Sequence, residues 1–315
     1  MSHPEERALL ERLNNPDLAD RQLAIIALED VASLESIDAL IRAVNDSDPT
    51  VRRLAVGLLE ELGDGRAVPA LLSAVEDEVP EVRAAAETAL REVRDAAALE
   101  ALIRAVSHSN ADVRRTAIVA MRELKDARAT QPIIGALSDV EASVRREAVV
   151  ALGYLQQRDA IAPLRDRLSD PDPDVRRLAL GALAFFRDAP LGDAFARLLE
   201  DRDWRVRAEA AIVLGRVRAV EATGALVAAL GDPFWQVQKE AAGALGLLRA
   251  TSAEGALVTL LASEISDLRK VAATSLGALG ARGAAALLRA LTEDPDAEVK
   301  KAAVRALGLL DVAKA

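Results

Sequence analysis

Apolar positions recur along this chain in two alternating helical rhythms. Val51, Ala55, Leu58, Leu59 and Leu62 stand at i, i+4, i+7, i+8 and i+11, which is one face of an α-helix. Asp48-Pro49 ahead of them supplies an N-cap acceptor and a proline at the first helical position, and Gly63 and Gly65 follow as terminators. A shorter apolar set precedes this helix (Ile37, Leu40, Ile41, Val44) and another follows it (Val68, Leu71, Leu72, Val75). Pro69, Pro132 and Pro163 fall in the opening turn of the shorter helix, where a missing N–H is harmless. No segment shows the two-residue alternation of a strand, so the pattern predicts an all-α chain of paired helices.

The pairs repeat. Val51-Arg52, Val82-Arg83, Val113-Arg114, Val144-Arg145, Val175-Arg176 and Val206-Arg207 are each 31 residues apart, and the step continues to Val237-Gln238, Leu268-Arg269 and Val299-Lys300. One step back from Val51 lies Asp20-Arg21, giving ten units. Alanine stands four residues after every frame position, from Ala24 to Ala303, and leucine eight residues after it, replaced once by Met121. One hairpin of this size cannot bury its apolar stripe alone, so neighbouring units must stack into an α-solenoid. The units run 1–33, 34–64, 65–95, 96–126, 127–157, 158–188, 189–219, 220–250, 251–281 and 282–315, forming a single domain over 1–315. The spacing from Leu279 to Leu287 predicts a turn one residue short in the last unit, offset by a longer loop around Thr292–Asp294.

Composition sharpens the picture by exclusion. Apolar residues make up 51% but aromatics only 2%, a diet of Ala, Leu and Val suited to close-packed helices. Without cysteine there is no disulfide framework, thiolate metal site or cysteine nucleophile. Only His3 and His108 are present, which disfavours histidine-based metal sites and Ser-His-Asp catalysis. No phosphate-binding Gly-Lys-Ser/Thr loop occurs, and no carboxylate pair stands out. We therefore expect no catalytic residue, no metal and no cofactor. The N-terminal stretch carries no signal-like apolar run and nothing spans a membrane, which leads to a cytoplasmic expectation without membrane contact. A basic column (Arg53, Arg115, Arg146, Arg177, Lys239, Lys270, Lys301) could face phosphates, but acids one turn earlier pair with several of its members. With a net charge of −10 and few aromatics to stack bases, no nucleic-acid partner is expected.

The unit, with Asp before the second helix and Val-Arg at its start, resembles the HEAT-like repeats of the phycobilisome bilin-lyase type over essentially the whole chain. That resemblance implies a right-handed superhelix of about ten HEAT-like hairpins. It also implies an Asp–Arg ladder stacked along the solenoid. The matching acids are Asp46, Asp77, Asp139, Asp170, Asp201, Asp232 and Asp294, with Arg52, Arg83, Arg145, Arg176 and Arg207, then Gln238 and Lys300. His108 and Ser263 interrupt the aspartates, so the ladder should loosen there and near Gln238. The di-iron HEAT-repeat hydroxylases use His-Glu pairs, whereas here Pro4 follows His3 and Ser109 follows His108.

Shared positions specify the fold, so function is sought where units differ. All seven aromatics lie between Tyr154 and Trp235. Tyr154 and Phe185 share a frame position held by Glu61, Glu92 and Glu123 in earlier units. Trp204 and Trp235, with Phe234, open the second helix of successive units. Phe186 and Phe195 fall on core positions. Trp204, Trp235, Phe234, Tyr154 and Phe185 are the candidate partner-binding anchors, with packing around the Pro190–Gly192 turn as the plainer role. Nine residues into the second helix, Glu29, Glu60, Arg91 and Arg122 give way to Gly153, Ala184, Gly215, Gly246, Gly277 and Gly308. That change predicts a bare, apolar groove in the second half, or merely a helix-end preference for glycine. Glu29, Glu60, Glu61, Glu92 and Glu123 could steer a basic partner segment, or serve solubility alone. The expected function is a non-enzymatic interaction scaffold or adaptor binding a protein or peptide on its concave face. The alternative, implied by the resemblance, is a bilin-lyase-like or cofactor-maturation factor acting on a tetrapyrrole or metallocofactor apoprotein; enzymatic activity would then be lyase-type attachment. A homo- or hetero-dimer through the last repeat, with Leu307, Leu309 and Leu310, is a further possibility.

Overall fold

The computed structural model describes residues 4–186 and 189–312, which leaves His3 outside the described residues. Among these, α-helices alternate short and long, and no strand occurs. The chain divides into two compact units, residues 1–160 and 161–315. In the first lie α1 (Pro4–Arg12), α2 (Leu18–Ala27), α3 (Ile37–Ala43), α4 (Pro49–Leu62), α5 (Val68–Ala74), α6 (Pro80–Glu92), α7 (Leu99–Ala105), α8 (Ala111–Leu124), α9 (Thr130–Ala136) and α10 (Ala142–Leu155). In the second lie α11 (Ile161–Asp166), α12 (Pro173–Leu183), α13 (Gly192–Arg197), α14 (Trp204–Val217), α15 (Thr223–Ala229), α16 (Trp235–Leu248), α17 (Glu254–Leu260), α18 (Ser266–Leu279), α19 (Ala285–Ala290) and α20 (Ala297–Val312).

Local chemistry explains the boundaries. Asp48 accepts from the Thr50 and Val51 amides at the start of α4, and Gly63 closes that helix at φ 64°. The same closing position holds Lys125, Gln156, Arg218 and Arg249, each left-handed although none is glycine. The alanine column is the innermost layer: Ala24, Ala55, Ala86, Ala117, Ala148, Ala179, Ala210, Ala241, Ala272 and Ala303 are each 0% exposed. A methyl at that position lets the short and long helices of a pair approach without a cavity.

The predicted slip in the last unit does not occur. Leu226, Leu257 and Leu288 are all fully buried 31 residues apart, while Leu287 is 46% exposed. The register holds, and the 3₁₀ turn Leu291–Glu293 completes the short helix. One fastening was invisible in the repeat pattern. Glu6 is buried and accepts hydrogen bonds from the Ser33 amide and from the Ser33 and Ser36 hydroxyls, tying α1 to the turn before α3. Burial pushes its carboxyl up, but the Ser36 and Ser33 hydrogen bonds outweigh this and hold it below its ordinary value.

Candidate functional site

The ladder is built between units. Arg52 donates from Nε and Nη2 to both carboxylate oxygens of Asp77, at 2.7 and 2.9 Å, while its Nη1 donates to the Asp46 carbonyl. Asp77 also accepts from the Val79 amide. Arg21–Asp46, Arg114–Asp139, Arg176–Asp201, Arg207–Asp232 and Arg269–Asp294 repeat this geometry. Each arginine thus crosses to the next unit's aspartate, 25 residues on, and holds its own turn by the backbone.

This crossing resolves the interruptions into two missing rungs. Opposite Arg83 stands His108, and opposite Gln238 stands Ser263. The local halves survive at both. Arg83 donates to the Asp77 carbonyl, Gln238 to the Asp232 carbonyl, His108 Nδ1 accepts from the Asn110 amide, and Ser263 Oγ from the Ile265 amide. Only the cross-unit ion pair is missing. His108 therefore does an aspartate's turn-forming work, with Glu76 3.7 Å from its Nε2.

In the second unit the aromatics assemble at the start of the long helices. Trp204 is the first residue of α14, whose cap Asp203 accepts from the Arg205 amide. Its indole stacks on Phe234, the residue capping α16, with centroids 5.8 Å apart and planes 12° from parallel. The Arg207 guanidinium, already bound to Asp232, lies 5.5 Å from the Phe234 ring. Trp235 faces the other way in chemistry: Lys239 Nζ sits 5.9 Å from its ring. Phe234 is 42% exposed, and both tryptophans are half-buried. The stack joins residues 30 apart, because the capping residue of one unit reaches the first helical residue of the unit before.

The remaining candidates are placed singly. Phe185 is 58% exposed beyond the end of α12, and Tyr154 is 52% exposed on α10, with Lys125 Nζ 5.5 Å from its ring. Phe195 is buried, as its core position predicts, and Phe186 is half-buried. On α20, Leu310 is buried, Leu307 half-buried and Leu309 56% exposed.

The acidic cluster is uneven. Glu29 and Glu61 are exposed; Glu60 is half-buried, and burial, then Glu92 and Glu61, hold its carboxyl above its ordinary value. Glu92 meets exposed Arg94 at 3.1 Å. Glu123 is engaged by Arg122, which also reaches Glu147 at 2.7 Å.

The bare-groove expectation for the glycine column is corrected. Gly215, Gly246 and Gly277 are buried at the seams between successive long helices. A Cβ on Gly215 would stand 2.9 Å from Ala244 Cα, one on Gly246 2.6 Å from Ser275 Oγ, and one on Gly277 2.7 Å from Ala306 Cα. The missing side chains admit the neighbouring helix, not a ligand. Among the described residues no cluster of His, Cys, Asp or Glu is arranged to hold a metal ion, and no helix is long and apolar enough to cross a membrane.

Stacked short–long helical pairs joined by a crossing Asp–Arg ladder define an α-solenoid of helical repeats. Residues 6–91, 68–152, 132–215, 161–231 and 223–308 match HEAT repeats, and the chain belongs to that family. Among solved structures it is similar to an engineered protein, at 22% identity over 98% of this chain and 99% of that one, with a TM-score of 0.54. It is similar to YibA of Escherichia coli at 20% identity, over 84% and 98% of the two chains, with a TM-score of 0.56. A chain in the structure of Kap95p with RanGDP is 14% identical over 98% of this chain and 50% of its own length, with a TM-score of 0.66. At these identities the likeness establishes the fold. No curated protein matches the sequence.

Proposed function

We propose that this chain is a non-enzymatic scaffold that binds a partner protein along the long helices of residues 161–315. The Trp204–Phe234 stack, partly exposed and seated on rigid helix starts, carries this reading. Paired rings held by Asp203 and Arg207 offer a pre-organised apolar contact, the kind of feature that dominates binding energy at interfaces. Trp235, Phe185 and Tyr154 are separate anchors outside the stack, and on residues 1–160 Glu29, Glu60, Glu61, Glu92 and Glu123 would meet a basic segment. Kap95p, which shares the fold, binds RanGDP in the structure cited above, and that use of a HEAT solenoid supports the reading. The test compares affinity capture by wild type and by Trp204→Ala/Phe234→Ala. Partners recovered by wild type should drop several-fold with the variant while helical content is unchanged; equal recovery would remove the stack from the interface.

A second reading has the same flat stack hold a planar apolar group, as a cofactor-maturation factor of the phycobilisome-lyase type would. Titration with a tetrapyrrole should then quench fluorescence of the two tryptophans. An unchanged signal at tens of micromolar discards that reading.

A further inference from the structure

Six rungs of the ladder show how an arginine in this fold grips a carboxylate. In each, Nε donates to one oxygen of the facing aspartate at 2.6–2.8 Å and Nη2 to the other at 2.7–3.0 Å. The arginine is also fixed from behind, because its Nη1 is clasped by carbonyls of its own turn. For Arg52 these are the Asp46 and Ser47 carbonyls, at 2.9 and 3.2 Å. Arg83, on α6, keeps the clasp. Its Nη1 donates to the Asp77 and Glu78 carbonyls at 2.7 and 3.0 Å. Its Nε and Nη2, in contrast, have no hydrogen-bond or ion-pair partner among the described residues.

The neighbouring acids are committed elsewhere. Both oxygens of Asp77 are held by Arg52, so Arg83 acts on that carboxyl only as a nearby charge. Glu78 lies 3.6 Å from Arg52 Nη2, and Glu76 lies 3.7 Å from His108 Nε2. His108 stands where the intact rungs have aspartate and uses Nδ1 to accept from the Asn110 amide. An imidazole offers no pair of oxygens, so the Nε–Nη2 fork of Arg83 is oriented for a group this chain does not supply. The fork is also more accessible than its counterparts. Arg52, Arg114 and Arg176 are buried, whereas Arg83 and His108 are both partly exposed. The other gap does not share this property: Gln238 spends its Nε2 on the Asp232 carbonyl and has no guanidinium.

The shape of the fork and the charge around it select the ligand. Two parallel N–H groups in one plane match two oxygens on one carbon, as the intact rungs show. A phosphate group carries about −1.5 to −2 charge at pH 7. Glu76, Asp77 and Glu78 flank the fork, and their field opposes such a dianion about twice as strongly as a monoanion. We propose that Arg83 is a binding site for an external carboxylate, gripped by Nε and Nη2 opposite His108 in the way that Arg52 grips Asp77. This goes beyond the scaffold reading, since it lies within residues 1–160 and uses none of the aromatic anchors.

The test is side-chain NMR of the full chain labelled with nitrogen-15 arginine, the Arg83 Nε–H signal being identified by its loss in Arg83→Lys. Sodium acetate replaces sodium chloride at a constant ionic strength of about 0.15 M, which keeps screening fixed. The Arg83 signal should shift saturably, with half-effect at about 10 mM, within reach of so small a ligand. The arginines of the intact rungs should stay in place. His108→Asn keeps an acceptor for the Asn110 amide without adding charge and should preserve the response. His108→Asp should abolish it, because the new carboxylate takes the fork from within the chain. A peptide with blocked ends and one aspartate distinguishes the sources. A half-effect several-fold below that of acetate assigns the carboxylate to a partner chain, an equal or weaker one assigns it to a free anion, and both support the site. An unmoved Arg83 signal, equal movement of the intact-rung arginines, a response that persists in His108→Asp, or a lower half-effect for inorganic phosphate overturns the proposal.

Discussion

At the scale of single residues, the ladder and its gaps carry the clearest consequences. Arg83 presents a guanidinium where every intact rung has a facing aspartate, so His108→Asp should complete the rung. We expect a gain of about 1 kcal/mol, read from the denaturant midpoint, that vanishes in an Arg83→Ala background. Acid should act in a defined direction. The Arg114 hydrogen bond holds Asp139 below its ordinary value, the Arg269 hydrogen bond does the same for Asp294, and Arg205 lowers Asp203 to about 2. A carboxylate with a depressed folded-state pKa contributes stability above its unfolded value and loses it as pH falls through the folded one. The stability these carboxylates contribute should therefore be intact above about pH 4 and be lost progressively as pH falls below it, checked by circular dichroism. Glu60 has the opposite sign. Its raised carboxyl favours the fold at low pH and that contribution is lost as pH rises through the folded value, so Glu60→Gln should stabilise at pH 7 but not near pH 4.

At the scale of helices, the glycine seams decide how closely the long helices stack. Gly246→Val should be destabilising by about 1–3 kcal/mol, since its side chain meets Ser275 backbone and side-chain atoms under 3.1 Å away. Gly243, on the same helix, has only Val271 Cγ2 near its Cβ direction, at 3.7 Å. Gly243→Ala should accordingly stabilise by about 0.5–1 kcal/mol through helix propensity. Equal effects of the two substitutions, measured by denaturant unfolding, would mean the seam is not close-packed. The left-handed helix ends make a parallel case. Arg249 holds φ 51° without being glycine, and Arg249→Gly should gain several tenths of a kcal/mol.

At the scale of the whole molecule, charge is partitioned between the units. The net −10 belongs entirely to residues 1–160, while residues 161–315 balance. Repulsion among like charges is screened by salt, whereas buried bidentate pairs are screened far less. Raising ionic strength should slow amide hydrogen exchange in residues 1–160 and leave residues 161–315 nearly unchanged. A uniform response along the chain would contradict a localised charge excess.

Much of this was legible in the residues themselves. A 31-residue period with invariant alanine and near-invariant leucine determines helix, hairpin and stacking, because every unit meets the same neighbours and only small or apolar side chains fit that contact. The exposure of Tyr154 and Phe185 could be read from the glutamates at their frame position. Through-space relations could not. Which ring Trp204 meets is one of them: its partner is Phe234, since a helix cap and a helix start from different units converge. The loss of side chains at Gly215, Gly246 and Gly277 suggested an opening, and the structure made it a closure, because the adjacent helix advances into any space a side chain vacates. Within units the ladder has separate interruptions at Gln238 and Ser263, but the crossing arginines make these two residues one gap. A repeating sequence determines what each helix is and which face it buries; only the tertiary structure decides the distance between neighbours, and that distance sets which side chains stay exposed.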